Sequence, residues 1–114
     1  GIYIIPFQVS LPNFITNKKV TAKPEVIFSN TQYPNLNQKI VVIENADPGY
    51  DWIFSQRIAG LITKFGGANS HMAIRCAEFD IPAAIGCGEQ RFNSIKKSTF
   101  IMLDCSSSLI QILN

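Results

Sequence analysis

Between Lys39 and Gly88, short β-branched runs alternate with segments that open on helix caps, and this alternation restricts the chain to an α/β architecture. Lys39 to Glu44 reads KIVVIE, a buried strand by its β-branched content. Asp47 followed by Pro48 supplies an N-cap and a proline in the first helical position, so a helix carrying Trp52, Ile53 and Phe54 is expected to start there and to end near Gly60. Leu61 to Thr63 is the next short strand and runs directly into Gly66-Gly67. A second helix is expected from Ser70 to about Phe79, then Pro82, the strand Ala83 to Ile85, and a closing Gly86-Cys87-Gly88.

The flanks are less regular. Ile2 to Val9 is apolar but interrupted by Pro6, and Leu11-Pro12-Asn13 breaks it again, so residues 1–18 read as an arm or interdomain linker and residues 19–114 as the folded domain. Val20 to Ala22 and Val26 to Phe28 flank Pro24, which marks an edge or bulged strand, and Thr31 to Gln38 reads as a polar turn. Thr99 to Leu103 and Leu109 to Leu113 are expected to pair as a C-terminal hairpin around the loop Asp104 to Ser108.

Composition narrows the function. Hydrophobic residues at 46% argue against a disordered chain, and charged residues at 16%, against roughly 25% in typical soluble domains, fit either a domain that docks against neighbours or a biased genome composition. A net charge of +2 without a basic stripe argues against nucleic acid. No apolar run approaches a membrane span and no signal-peptide pattern is present, so the chain reads as cytoplasmic. A start at Gly1 reads as a piece cut from a longer polypeptide. Cys76, Cys87 and Cys105 are odd in number and lack CxxC spacing, which argues against a zinc site or a disulfide framework and for buried or half-buried thiols.

The chemistry concentrates in Gly66-Gly67-Ala68-Asn69-Ser70-His71-Met72-Ala73-Ile74, where the chain's single histidine follows a glycine turn at a helix start. Glycines let backbone approach an anion closely, Asn69 or Ser70 can cap the helix, and first-turn N–H groups point at whatever sits beside His71. A neutral imidazole is a nucleophile toward phosphorus, and a helix N-terminus disfavours imidazolium while favouring an added phosphate dianion. His71 is therefore the expected phosphate acceptor, with Gly66, Gly67, Asn69, Ser70 and Arg75 as supporting residues and no metal ligand. Arg75 and Glu78 follow His71 at i+4 and i+7 on one helical face, so Arg75 is either a clamp on phosphate or half of a solvated ion pair. No GxxxxGK[ST] motif or other nucleotide cradle is present, and the domain reads as a carrier that binds no cofactor itself. A reactive Cys87 between two glycines is the competing site, and Tyr50 and Trp52 read as packing residues rather than a ligand platform.

The segment GGANSHMAIRCAEFDIPAAIGCG resembles the phosphohistidine signature of the PEP-utilising enzyme mobile domain, and ADPGYDWIF followed by GLITKFGG is similar to that family's lead-in. The resemblance implies a compact swivelling β/β/α phosphohistidine domain of a multidomain phosphoenolpyruvate synthase-like or pyruvate phosphate dikinase-like phosphotransferase. His71 would take a phosphoryl group from ATP and Mg in an ATP-grasp domain and deliver it to an acceptor site, with pyruvate or phosphoenolpyruvate in a barrel domain as the leading case. The isolated domain would then be inactive. Asn69 stands where many relatives have threonine, Asp80 where glycine precedes Ile-Pro, and Ala77 at the common arginine position, with Arg75 carrying an arginine instead. The alternative is a catalytically silent docking or regulatory module of the same fold.

Overall fold

The β-branched runs become strands of two sheets in the computed structural model, which describes residues 11–28 and 34–113. The larger sheet contains β1 (Asn13–Ile15), β3 (Pro24–Val26), β4 (Ile40–Ile43), β5 (Gly60–Thr63) and β6 (Ala83–Ile85), in the spatial order β1-β6-β5-β4-β3. The four strands from β3 to β6 run parallel, and β1 closes one edge antiparallel to β6. The smaller sheet is antiparallel and joins β2 (Lys19–Ala22), β7 (Phe100–Asp104) and β8 (Leu109–Leu113) in the order β2-β7-β8.

Parallel neighbours need crossovers, and the two cap signals supply them. A 3₁₀ helix, Pro48–Gln56, bridges β4 to β5, and α1 (His71–Glu78) bridges β5 to β6. Because side chains alternate across a strand, Val41, Ile43, Leu61, Ala83 and Ile85 pack against Ile53, Met72, Ala73 and Cys76 of that helical layer. Ile40, Val42, Ile62 and Ala84 face the other way, onto Phe92 and Ile95 of α2 (Glu89–Lys96) and onto Ile101 and Leu103 of β7. Every residue of β4, β5 and β6 is buried. At about 1.5–3 kcal/mol for each fully buried Val, Leu or Ile side chain, these strands fix the register of the whole sheet. The expected α/β class and the β/β/α layering are what the chain forms.

Several elements differ from the sequence reading for physical reasons. Asp47 does cap the first helix, its Oδ1 accepting from the Gly49 N–H at 2.8 Å, but the helix is 3₁₀ and stops at Gln56 because Arg57 turns left-handed at φ 53°. Asn13–Ile15, inside the stretch read as arm or linker, pairs along β6 as an edge strand, while Ile2 to Val9 lies outside the described residues. Pro24 begins β3 on the sheet's other edge, where its missing N–H is harmless, and the chain changes sheets at Lys23. Within the expected polar turn, the part before residue 34 lies outside the described residues, and Leu36 is fully buried. Helix α2 escaped the reading because its N-cap is Gly88, which offers no side-chain cap. The C-terminal hairpin forms with Asp104 opposite Leu109, and Asp104 Oδ1 accepts from the N–H groups of Ser106 and Ser107 at 3.1 and 3.2 Å. Among the described residues no helix is long and apolar enough to cross a membrane.

Candidate functional site

The site lies where the parallel strands β5 and β6 end side by side, the edge at which α/β sheets ordinarily present ligand-binding loops. Two glycine-bearing loops leave these strands and are laced together. Thr63, fully buried at the end of β5, accepts the Gly86 N–H on both its carbonyl (3.1 Å) and its Oγ1 (2.9 Å), and donates Oγ1–H to the Phe65 carbonyl at 2.8 Å. The Cys87 and Gly88 N–H groups donate to the carbonyls of Thr63 and Lys64 at 2.8 and 3.0 Å. Gly66 adopts φ 125° and Gly86 φ 79°, and a Cβ on Gly86 would stand 2.4 Å from the Gly66 carbonyl oxygen. Thr63→Val keeps the shape but strands the Phe65 carbonyl, and is expected to lower unfolding free energy by about 1–3 kcal/mol in urea denaturation.

Beyond that clasp the chain turns over Gly67, whose carbonyl accepts the Ser70 N–H at 3.0 Å, and enters α1. Ser70, rather than the exposed Asn69, is the N-cap; its Oγ accepts from the Ala73 N–H at 3.4 Å. Apart from its two chain neighbours, no atom of the described residues lies within 4 Å of where a Cβ on Gly67 would stand, so backbone there is open to approach. His71 occupies the first helical position, its side chain 37% exposed, while Met72, Ala73 and Cys76 anchor the opposite face in the core.

The ring of His71 does not stand alone. Asp51, on the 3₁₀ helix and twenty residues upstream, places Oδ1 2.8 Å from Nε2; a carboxylate oxygen accepts, so Nε2 is the donor. Arg75 Nε lies 3.5 Å from the same oxygen, and its Nη1 donates to Glu78 Oε2 at 3.2 Å. The guanidinium stacks 4.8 Å over Phe79, whose ring centroid is 5.3 Å from that of Phe54. Arg75 Nε is shut off from solvent yet forms no hydrogen bond among the described residues, because its contact with Asp51 has ion-pair distance without hydrogen-bond alignment. Arg75 and Glu78 form the ion pair expected from their spacing, whereas Asp51 was invisible to local spacing: it reaches His71 only because consecutive crossovers lie on one face of the sheet.

The other candidates resolve by burial. Cys76, Cys87 and Cys105 are all buried free thiols. Desolvation pushes the Cys87 thiol up to about 11 and the Cys76 thiol up to about 12, so Cys87 is a protonated packing group at neutral pH rather than a nucleophile. Tyr50 and Trp52 pack against the core cluster of the helical layer, as expected of packing residues. Asp80 takes the left-handed conformation, φ 59°, that glycine would otherwise supply before Ile81-Pro82.

The fold and site together define a mixed α/β domain with a capped, half-exposed histidine at the C-terminal edge of its parallel strands, and comparison with known proteins gives the family. Residues 36–108 match the model of the PEP-utilising enzyme mobile domain, and the chain belongs to that family. It is 34% identical over 85 residues to phosphoenolpyruvate synthase from Synechocystis sp. (strain ATCC 27184 / PCC 6803 / Kazusa), covering 74% of this chain and 10% of that protein. To phosphoenolpyruvate synthase from Aquifex aeolicus (strain VF5) it is 29% identical over 93 residues, covering 81% of this chain and 11% of the relative. The chain thus spans about a tenth of the length of these curated relatives. The solution NMR structure of a UPF0107 protein superposes with a TM-score of 0.69 at 11% identity, over 91% of this chain and 98% of that one, a likeness of fold alone.

Proposed function

We propose that this chain is the phosphotransfer domain of a multidomain, cytoplasmic phosphoenolpyruvate synthase-like enzyme, in which His71 carries a phosphoryl group from an ATP-grasp domain to an acceptor site that handles pyruvate and phosphoenolpyruvate. The observation that carries this reading is the placement of the single histidine at the capped start of α1, anchored in the core on one side and open to solvent on the other. An imidazole nitrogen lone pair forms the N–P bond as the donor's P–O bond breaks and its electron pair leaves with the donor. The helix dipole then favours the phosphorylated product over an imidazolium, an effect of about 0.3–1 kcal/mol at an exposed site. That is tuning, and the larger acceleration belongs to alignment and charge neutralisation by the nucleotide-binding partner and its Mg. The open backbone at Gly67, the exposed Asn69 and the N–H groups after Ser70 are assigned to the phosphate, with Gly66 shaping the turn that presents them.

The test is incubation of the full-length polypeptide with γ- and β-labelled ATP and Mg, followed by peptide mapping. Acid-labile, alkali-stable label on the peptide containing His71 is the expected result; label elsewhere, or none, refutes the reading. Arg75, with its enclosed and unbonded Nε–H beside the imidazole, is assigned to the phosphoryl group as a clamp. Arg75→Ala is expected to slow phosphorylation or shorten the lifetime of the phosphorylated form roughly tenfold, about 1.4 kcal/mol, as read by quenched-flow labelling, with little change in the melting temperature.

A further inference from the structure

We infer that Asp51 is a placeholder for the phosphoryl group: it occupies the phosphate position while His71 is unmodified, must leave when the group arrives, and by its charge raises the tendency of that group to move on. The inference rests on the proposed carrier role of His71 and concerns a residue that the histidine signature does not contain. Asp51 Oδ1 stands 2.8 Å from His71 Nε2 and 3.5 Å from Arg75 Nε. An oxygen bonded to phosphorus on Nε2 would take up nearly the same separation from the ring nitrogen, and it would lie beside the same guanidinium. Arg75 Nε, enclosed and without a hydrogen bond among the described residues, is then a donor whose acceptor is missing as long as the carboxylate is there. Glu78 keeps the guanidinium in place through Nη1 at 3.2 Å, so Arg75 need not move when Asp51 is exchanged for phosphate.

Two consequences follow. In the resting state the carboxylate holds the proton on Nε2 and withholds its lone pair. In the phosphorylated state the displaced carboxylate and the phosphate dianion repel each other. Each unit of phosphate charge roughly 4 Å from the carboxylate in a water-like medium corresponds to about a fivefold factor in an equilibrium or lifetime, a lower bound for the dianion, and Asp51 is exposed enough for that medium to apply. Asp51 thus acts directly on Nε2, the nitrogen that receives the phosphoryl group.

Phosphoramidate tests this without any partner domain. Its P–N bond breaks and ammonia leaves as Nε2 forms the new N–P bond; the ring proton, moved by tautomerisation to Nδ1, is taken up by the ammonia. Because the chain has one histidine, ³¹P and ¹⁵N NMR of the histidine-labelled 114-residue chain report this ring alone. For Asp51→Asn, and for Asp51→Ser as a second variant, the Nε2–H tautomer is expected to fall toward the free-imidazole ratio, phosphorylation to quicken several-fold, and the phosphohistidine to last at least about fivefold longer at an unchanged melting temperature. Equal rates and lifetimes within twofold, phosphorylation on Nδ1, or failure of every protein to react while free imidazole reacts in the same tube would overturn the inference. Absence of label from ATP alongside the expected Asp51 effect would count against the carrier reading alone, and normal ATP labelling without that effect would count against the placeholder alone.

Discussion

His71→Ala is expected to remove every trace of acid-labile label from the full-length protein incubated with ATP and Mg, and with it any overall reaction that passes through this domain. Within this domain the loss is total rather than graded, because no second imidazole exists in these 114 residues to substitute, and the three thiols are buried and protonated. The fold is expected to survive. His71 sits at the first turn with its side chain 37% exposed, and its polar side-chain partner among the described residues, Asp51, is itself at the surface, so the change in unfolding free energy should stay within about 0.5–1 kcal/mol. Circular dichroism and urea denaturation separate loss of the acceptor from loss of the fold. Residual label in the variant at more than background would mean that another residue carries the phosphoryl group.

Gly86→Ala is expected to act through the fold instead. The substitution puts a Cβ 2.4 Å from the Gly66 carbonyl oxygen at φ 79°, and both offending groups are backbone, so no flexible side chain can swing away. Gly66 has no room to retreat either, since its own Cβ position is 2.9 Å from Ala46 Cβ. The clasp that joins the ends of β5 and β6 must open, at a cost of about 2–4 kcal/mol, visible as a lower urea midpoint. Phosphorylation should fall with it, because Gly66 leads into the turn that aims His71. Gly67→Ala is the control: nothing lies within 4 Å of its Cβ and its φ is not positive, so its stability should change by less than about 1 kcal/mol. If the two variants lose equal stability, the clasp does not position the site.

The contrast between these glycines shows where the sequence is legible and where it is not. Gly66 and Gly67 are adjacent and equivalent in the motif, but only the first meets neighbouring chain segments, Ala46 after β4 and Gly86 beyond β6. Nothing near Gly66 in sequence announces Gly86 as its partner. In the same way Ser70 is recognisable as a cap from its own neighbours, whereas α2, capped by a bare Gly88, has no comparable local mark and was missed. Asn13–Ile15 looked like linker because three residues between Pro12 and Thr16 carry too little pattern of their own; pairing with β6 makes them a strand.

Whatever acts within a turn or along one strand was therefore written in the chain: the β-branched runs that become β4 and β5, the capped starts at Asp47 and Ser70, and His71 in the first turn of α1. These depend on dihedral preference, capping and burial, which neighbouring residues decide among themselves. Tertiary structure alone decided that Asp51 meets His71, that Arg75 Nε is left without a hydrogen bond beside them, and that Gly86 backs Gly66. The reason is register: burial on both faces of the parallel sheet sets which strand ends coincide, and only then do two crossovers and two loops distant in sequence arrive at one place.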